Sequence, residues 1–421
     1  HRPIQSNPLE RDLYICPSVK GASRYCNDYS FRRTGMKVAI ARPVDARANT
    51  AFEGELRCYE RLVRDRDVDV TVVANEGHSL QTEYVDVVTC AQGPLERLHH
   101  LWRQGKKHLT GADRVVMPEF NALGDMVREE DFDVVETSDP TLYPGVHAAY
   151  EACREEDTPL VVRASATKHL PNVVPEGETE AVVDYASGFL FVSPMTHDRY
   201  VEQGYLDASD NRSEYTGHPV DTDLFSNLDR HSSDGPVVVL SVGVLEERKG
   251  YKLLAEAVQR LHDSGVSIQW DVVGSGELRS WLQTFINRHD LEDSVTLHGQ
   301  IPHNEINEVY ASADVFALHS LETPTWEEYF GVAYAEAMSS GLPVVGSDSG
   351  AIPWVVRDGV DGKLVSEGSV DGVTEALRTL AADSDRRQEM GKNGRENVEK
   401  RFHIDRVAQS FLDGWRQPFV R

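Results

Sequence analysis

Ser320-Leu-Glu-Thr-Pro-Thr-Trp-Glu-Glu328-Tyr-Phe-Gly331-Val-Ala-Tyr-Ala-Glu336-Ala-Met-Ser-Ser-Gly341-Leu-Pro343-Val-Val-Gly-Ser-Asp348-Ser-Gly350 reads as a polar loop, a tight turn at Phe330-Gly331, a helix ended by Gly341 and a buried strand. A helix that opens on such a turn leaves its first backbone N–H groups unpaired, and its dipole favours negative charge there. Glu328 stands just before the helix and Glu336 about a turn and a half inside it. Two acceptor-only carboxylates on either side of an anion site suit a diphosphate that carries hydroxyl-rich groups at both ends, a sugar and a ribose. The spacing alone proves little. With about 35 Glu in the chain, roughly three pairs eight residues apart arise by chance, and a capped surface helix with solvated acids is spelled the same way.

Around this stretch, short apolar runs alternate with helical ones. Strands are expected at 237–242, 268–273, 294–297, 315–319, 342–346 and 362–365, and helices at 251–264, 277–288, 303–312 and 332–340. The first half repeats the scheme, with strands at 38–41, 70–73, 134–135, 160–162 and 189–192 and helices at 54–64, 122–130, 146–155 and 196–203. Such alternation indicates parallel sheets covered on both faces. A turn-rich stretch, 207–234, parts the two halves. The expected fold is therefore α/β, with two Rossmann-like units facing a central crevice where ligands meet the strand C-termini. Residues 1–35 lack periodicity and are expected to be a loosely ordered extension. The first unit is expected at 36–216 and the second at 217–400. The tail from 384 is helical, and 401–421 is expected to pack back on the first unit.

Composition narrows the function. The 421 residues carry 69 acidic and 43 basic side chains, a formal charge of −26. Such a surface repels phosphate backbones and anionic headgroups, so nucleic acid is excluded as a general partner. Only about 10 of the basic residues are Lys, which points to a protein kept soluble at high salt, with an ordinary acidic cytoplasmic protein as the alternative. Five cysteines, all in the first 153 residues and without a Cys-x-x-Cys, argue against a disulfide framework or zinc ribbon. No apolar run approaches a membrane span and no signal segment opens the chain, so a cytoplasmic location is expected.

Glu-x7-Glu in the form Glu328-Tyr-Phe-Gly-x4-Glu336-Ala-Met, followed by Gly341-x-Pro343-Val-Val and Ser347-Asp348-x-Gly350-x-Ile352-Pro353, resembles the retaining glycosyltransferases of the GT4 family, which have the GT-B fold. Thr323-Pro-Thr-Trp326-Glu-Glu is similar to a subgroup in which this loop is lengthened. Ser241-Val-Gly243-Val-Leu-x3-Lys249-Gly250 resembles the phosphate-binding strand and loop. Val273-Gly-Ser-Gly276-Glu-Leu278 and Leu297-His-Gly299-x-Ile-Pro302 resemble the nucleoside-binding edges, and Val220-Asp221-Thr-Asp223-x-Phe225 the interdomain segment. These matches run over 217–365, whereas 36–193 fits only as a pattern.

The resemblance implies transfer of a hexose, with retention, from a nucleoside-diphosphate sugar to a glycan, lipid-linked or small-molecule acceptor. Lys249 would neutralise the diphosphate as leaving-group charge develops. Glu328 would bind donor-sugar hydroxyls and Glu336 the ribose. The N–H groups of Phe330, Gly331 and Val332 would hold sugar and phosphate oxygens, and Gly243, Val244, Arg248, Gly274 and Ile301 complete the donor side. No enzymic nucleophile is implied: the acceptor attacks on the leaving-group face and a diphosphate oxygen takes its proton. Neither a cofactor nor a divalent metal is implied, and Asp221-x-Asp223 belongs to the interdomain segment. Peripheral association with the cytoplasmic membrane face fits such acceptors, although the charge does not favour it.

The chain departs from the family pattern in places. Val244 stands where the family carries Arg, with Arg248 as the nearest substitute. Asp45-Ala-Arg47-Ala-Asn49-Thr50 replaces the Gly pair of the first strand–helix loop. Glu136-Thr-Ser138-Asp139-Pro140 stands where many relatives have a His, so Ser138 or Asp139 would orient an acceptor hydroxyl, or else form a turn and cap before Pro140. Asn49, His218, Arg163, Lys168 and His169 are acceptor-side candidates by position, and a lone His is more often structural. A GT-B scaffold that binds nucleotide or a partner without transfer is the competing reading. Val244 and the missing Gly pair favour it, and Lys249, Glu328 and Glu336 oppose it. A dinucleotide oxidoreductase is set aside, because no Gly-x-Gly-x-x-Gly follows Ala41.

Overall fold

The computed structural model describes residues 22–25, 35–42, 50–75, 84–90, 118–143, 145–165, 174, 177–225, 235–302 and 305–420. They form two compact units. The first holds the described residues up to Phe191, Tyr200–Tyr215 and those from Ala408 onward; the second holds Val192–Arg199 and Thr216–Val407. The helix Pro194–Glu202 therefore has residues in both.

The first unit is built on eight strands: β1 (Ala22–Tyr25), β2 (Met36–Arg42), β3 (Val68–Asn75), β4 (Asp86–Cys90), β5 (Val134–Thr137), β6 (Leu160–Ala164), β7 (Gly188–Phe191) and β8 (Ser213–Tyr215). Their order is β1-β4-β3-β2-β5-β6-β7-β8, parallel throughout except for β1. Val38, Ala39, Ile40 and Ala41 on β2 are all fully buried. That is why the run is continuous rather than alternating: helices cover both faces of the sheet. Within the extension expected at 1–35, Ala22–Tyr25 pairs antiparallel with β4, Ala22 opposite Cys90 and Tyr25 opposite Val87. An edge strand offers unpaired N–H and C=O groups, and four residues suffice to meet them. The stretch 207–234 likewise contains a strand, β8, at the opposite end of the sheet.

A buried ionic network ties this unit together. Arg42, at the end of β2, bonds Glu55 Oε2 through Nε at 3.1 Å and also pairs with Glu136. Its Nη2 donates to the Tyr59 hydroxyl at 3.1 Å. Arg163 reaches Glu55 Oε1 at 2.7 Å and lies over the Phe411 ring. Trp415, on the helix Ile404–Arg416, donates its indole N–H to Glu136 Oε2 at 2.6 Å. Two arginines and two glutamates thus balance one another out of water, the condition under which buried charge is tolerated.

The second unit has six parallel strands: β9 (Val237–Val242), β10 (Ile268–Val273), β11 (Val295–Gly299), β12 (Val315–Ala317), β13 (Val344–Ser347) and β14 (Gly362–Val365). Their order is β11-β10-β9-β12-β13-β14. The helix Tyr251–Asp263 buries Tyr251, Leu254, Ala255, Val258 and Leu261, a stripe at helical spacing that packs in the core of this unit. Helices Val370–Ala382 and Ser384–Arg401 follow β14, each opened by a side-chain cap, Ser369 on Gly372 N–H and Asp383 on Arg386 N–H. From β9 the chain proceeds to β10 and β11 on one side, then returns to β12, β13 and β14 on the other. The loops after β9 and β12 consequently lie at the switch point of the sheet, where open α/β sheets bind ligands.

Candidate functional site

Those two loops carry the residues singled out in the sequence. After β9 come Gly243, Val244 and a single 3-10 turn, Glu247–Lys249; after β12 come Ser320 to Glu328. Leu321 N–H donates to the Arg248 carbonyl at 2.7 Å and joins the two. Lys249 Nζ lies 2.6 Å from Glu328 Oε2, and the Ser320 hydroxyl donates to the same oxygen at 3.0 Å. The Ser320 carbonyl is held in turn by the Ser347 hydroxyl at 2.6 Å, at the end of β13. Ala351 N–H donates to the Glu328 carbonyl at 2.7 Å. That approach depends on Gly350, whose φ is +56° and where a Cβ would overlap the same carbonyl.

Gly331, at φ +87°, opens the helix Val332–Ser339. The N–H groups of Phe330, Gly331 and Val332 make no hydrogen bond among the described residues, as expected of the first turn of a helix without a side-chain cap. Beneath them the Phe330 ring is fully buried, edge-on to Phe402 and His218 at centroid distances of 4.9 and 5.3 Å. His218 is itself buried and packs against Tyr329, so it supports the turn from below. Five residues into the helix, Glu336 is buried and accepts from the Tyr310 hydroxyl at 3.0 Å. Burial raises its carboxyl to about 7, and the Tyr310 bond opposes the shift.

The other donor-side residues surround this core. Gly243 N–H bonds Val273 O at 3.0 Å and Gly274 N–H bonds Gly299 O at 2.8 Å, which keeps the ends of β9, β10 and β11 in register. Ile301 and Val332 are half-buried. Val244 is 44% exposed, an apolar side chain in solvent. Arg248 bonds Glu246 Oε2 through Nε at 2.6 Å and lies over the Trp326 ring. Three partners were not anticipated from the sequence: Trp326, Tyr310, and Arg199, whose guanidinium grips Glu327 at 3.0 and 3.1 Å. For Glu327 the doubled acid Glu327-Glu328 was the available signal.

In the first unit the acceptor-side candidates read differently. Asp139 is fully buried, and its Oδ1 accepts from Thr141 N–H at 2.9 Å, the Thr141 hydroxyl at 2.6 Å and the Tyr200 hydroxyl at 2.7 Å. Its Oδ2 accepts from Ser165 N–H at 2.8 Å. A carboxylate so engaged holds the turn after β5, the second of the two readings left open for it. Ser138 is buried and donates to Ala41 O at 3.1 Å. Arg163, expected on the acceptor side by position, is instead committed to Glu55 in the ionic network. Asp221 closes a turn through Asp223 N–H and Leu224 N–H. Asn49, Lys168 and His169 lie outside the described residues. Among the described residues no group of three or more His, Cys, Asp or Glu is arranged to hold a metal ion, and no helix is long and apolar enough to cross a membrane.

Two parallel-sheet α/β units, the second with this constellation at its switch point, define the GT-B architecture. The crystal structure of Anabaena Alr3699/HepE in complex with UDP and glucose is similar over 90% of this chain and 98% of its own, with a TM-score of 0.69 at 17% identity. Residues 227–397 match the family described as glycosyl transferases group 1. It is 35% identical over 163 residues to the amylovoran biosynthesis glycosyltransferase AmsK of Erwinia amylovora, covering 38% of this chain and 40% of that protein. It is 32% identical over 198 residues to the putative colanic acid biosynthesis glycosyltransferase WcaL of Escherichia coli K12, covering 46% and 49%. The chain thus spans less than half the length of these curated relatives.

Proposed function

We propose that the chain is a retaining, metal-independent GT4-type hexosyltransferase that moves a sugar from a nucleoside diphosphate to a glycan or lipid-linked acceptor. The observation that carries this reading is the Lys249–Glu328 pair at 2.6 Å beside the open N–H groups of Phe330, Gly331 and Val332. A cation and a helix N-terminus together favour a diphosphate, and their stabilisation grows as the leaving group gains charge. Glu328, adjacent to that anion site, is suited to the hydroxyls of the transferred sugar, and Glu336 to the ribose. The names of the relatives, amylovoran and colanic acid biosynthesis, favour a glycan acceptor.

Calorimetric titration of UDP, GDP, ADP, CDP and dTDP in high-KCl buffer tests the reading. One diphosphate is expected to bind and to weaken at least tenfold, about 1.4 kcal/mol, with Lys249→Ala. If none binds to the folded protein, the reading is wrong. The exposed Val244 favours a second reading, a protein that binds nucleotide without transferring sugar; it would bind the diphosphate yet show no turnover.

A further inference from the structure

Glu327 and Glu328 are chain neighbours and both are buried, 2% and 6% exposed, yet they take different partners. Glu328 Oε2 accepts from Lys249 Nζ and from the Ser320 hydroxyl. Glu327 is held by Arg199, Nε to Oε1 at 3.0 Å and Nη2 to Oε2 at 3.1 Å. Arg199 and Glu327 are 128 residues apart, and both belong to the second unit. Two parallel N–H···O bonds between planar groups fix direction as well as distance.

The backbone around Glu327 gives that grip its importance. The Trp326 carbonyl accepts from Thr323 N–H at 2.8 Å and from the Thr323 hydroxyl at 3.2 Å. The Glu328 carbonyl accepts from Ala351 N–H at 2.7 Å. The peptide between them, from the Glu327 carbonyl to Glu328 N–H, makes no hydrogen bond among the described residues. Its rotation decides where the Glu328 side chain leaves the loop, and the flanking bonds leave that rotation open, because each residue keeps two soft dihedrals. The Glu327 carboxylate is the remaining anchor. Arg199 is itself well placed to hold it. Its helix, Pro194–Glu202, starts on a proline, and reciprocal bonds close the first turn: Ser193 N–H to Thr196 Oγ1 at 3.2 Å, and the Thr196 hydroxyl to Ser193 O at 2.7 Å.

We propose that Arg199 is a positioning residue for the transferred sugar: by holding Glu327 at two points it fixes the Glu327–Glu328 peptide and so aims the Glu328 carboxylate at the sugar hydroxyls. This rests on the reading above that gives those hydroxyls to Glu328. Arg199 acts through Glu327 and not on the donor itself. A bare nucleoside diphosphate has no sugar to be aimed at, so its binding separates this role from a general disturbance of the site.

The test compares wild type, Arg199→Ala and the double variant Arg199→Ala/Glu327→Gln. The reaction followed is release of diphosphate from the nucleoside-diphosphate hexose that wild type turns over. The bond from the anomeric carbon to the diphosphate breaks, one to an acceptor or water oxygen forms, and the proton of that oxygen passes to the diphosphate. Calorimetric titration of the bare diphosphate gives its affinity and, from the stoichiometry, the number of competent sites to which rates are referred. Arg199→Ala is expected to lower kcat/KM about tenfold or more and to change diphosphate affinity by less than about threefold. The double variant buries no unpaired carboxylate but also lacks the grip. It is expected to fold and to remain about fivefold or more slower than wild type, whereas an ion pair that only stabilised the fold would give full recovery. Should Arg199→Ala not fold, the double variant carries the test. Turnover at the wild-type rate in either variant, or equal losses of turnover and diphosphate affinity, would refute the positioning role while the donor reading stands. If wild type turns over no donor, both fall.

Discussion

Glu336→Gln should stabilise the protein at alkaline pH and leave it nearly unchanged at acid pH. The carboxyl titrates near 7 in the folded chain against an ordinary value of 4.5, and burial is the cause. A raised carboxyl pKa means that the folded state binds this proton more tightly than the unfolded state. The group therefore imposes no penalty below pH 4.5; the penalty grows as pH climbs through the interval and levels off above about 7. An interval of about 2.5 pK units at 1.36 kcal/mol each amounts to about 3 kcal/mol at pH 8. Gln keeps an acceptor for the Tyr310 hydroxyl, now 3.0 Å from Oε2, and removes the titration. Urea unfolding of wild type and variant at pH 5 and pH 8 is the assay. The variant should gain about 2–3 kcal/mol relative to wild type between the two pH values. An equal difference at both would show that Glu336 is not the buried, proton-holding group argued here.

Other substitutions test the frame around the site. Gly350→Ala forces a Cβ into the Glu328 carbonyl at a left-handed φ, so nucleotide affinity should fall at least tenfold, about 1.4 kcal/mol, by calorimetry. Arg199→Ala leaves the Glu327 carboxylate buried without its guanidinium and should cost about 2 kcal/mol in urea unfolding, largely recovered in the double variant with Glu327→Gln. Trp415→Phe keeps the aromatic packing on Phe411 but removes the donor to Glu136, and a loss of about 1.5–3 kcal/mol is expected from the same measurement.

What could be read from the sequence follows from how each feature is encoded. Val239–Ser241 within β9 and Val344–Ser347 are buried at successive residues, hence on both faces, so the strands appear as mostly apolar runs without alternation, and Gly331 and Gly341 mark the two ends of the intervening helix. Glu328, Glu336 and Lys249 were legible because they sit at fixed offsets from those marks. The strands Ala22–Tyr25 and Ser213–Tyr215 were not, since at three or four residues with polar members they carry no period of their own and exist by pairing with a sheet edge. The ionic network was equally hidden: Arg42 and Glu136 are 94 residues apart, and Trp415 and Glu136 are 279 apart. Asp139 before Pro140 is spelled alike as a ligand or a turn. Only the arrival of Tyr200 and Ser165 on its oxygens separates the two.

The central claim is sugar transfer at Glu328 and Lys249. Its most direct test is release of nucleoside diphosphate from a panel of UDP-, GDP-, ADP-, CDP- and dTDP-hexoses, with the hexose passing to a hydroxyl of an added panel of glycan acceptors or to water, by wild type and by Glu328→Gln, with binding of each donor followed in parallel. The account predicts that one donor is turned over by wild type and that Glu328→Gln slows release at least a hundredfold, about 2.7 kcal/mol of barrier. Release as fast in Glu328→Gln as in wild type, or no release of any donor by a protein that binds one, would contradict it.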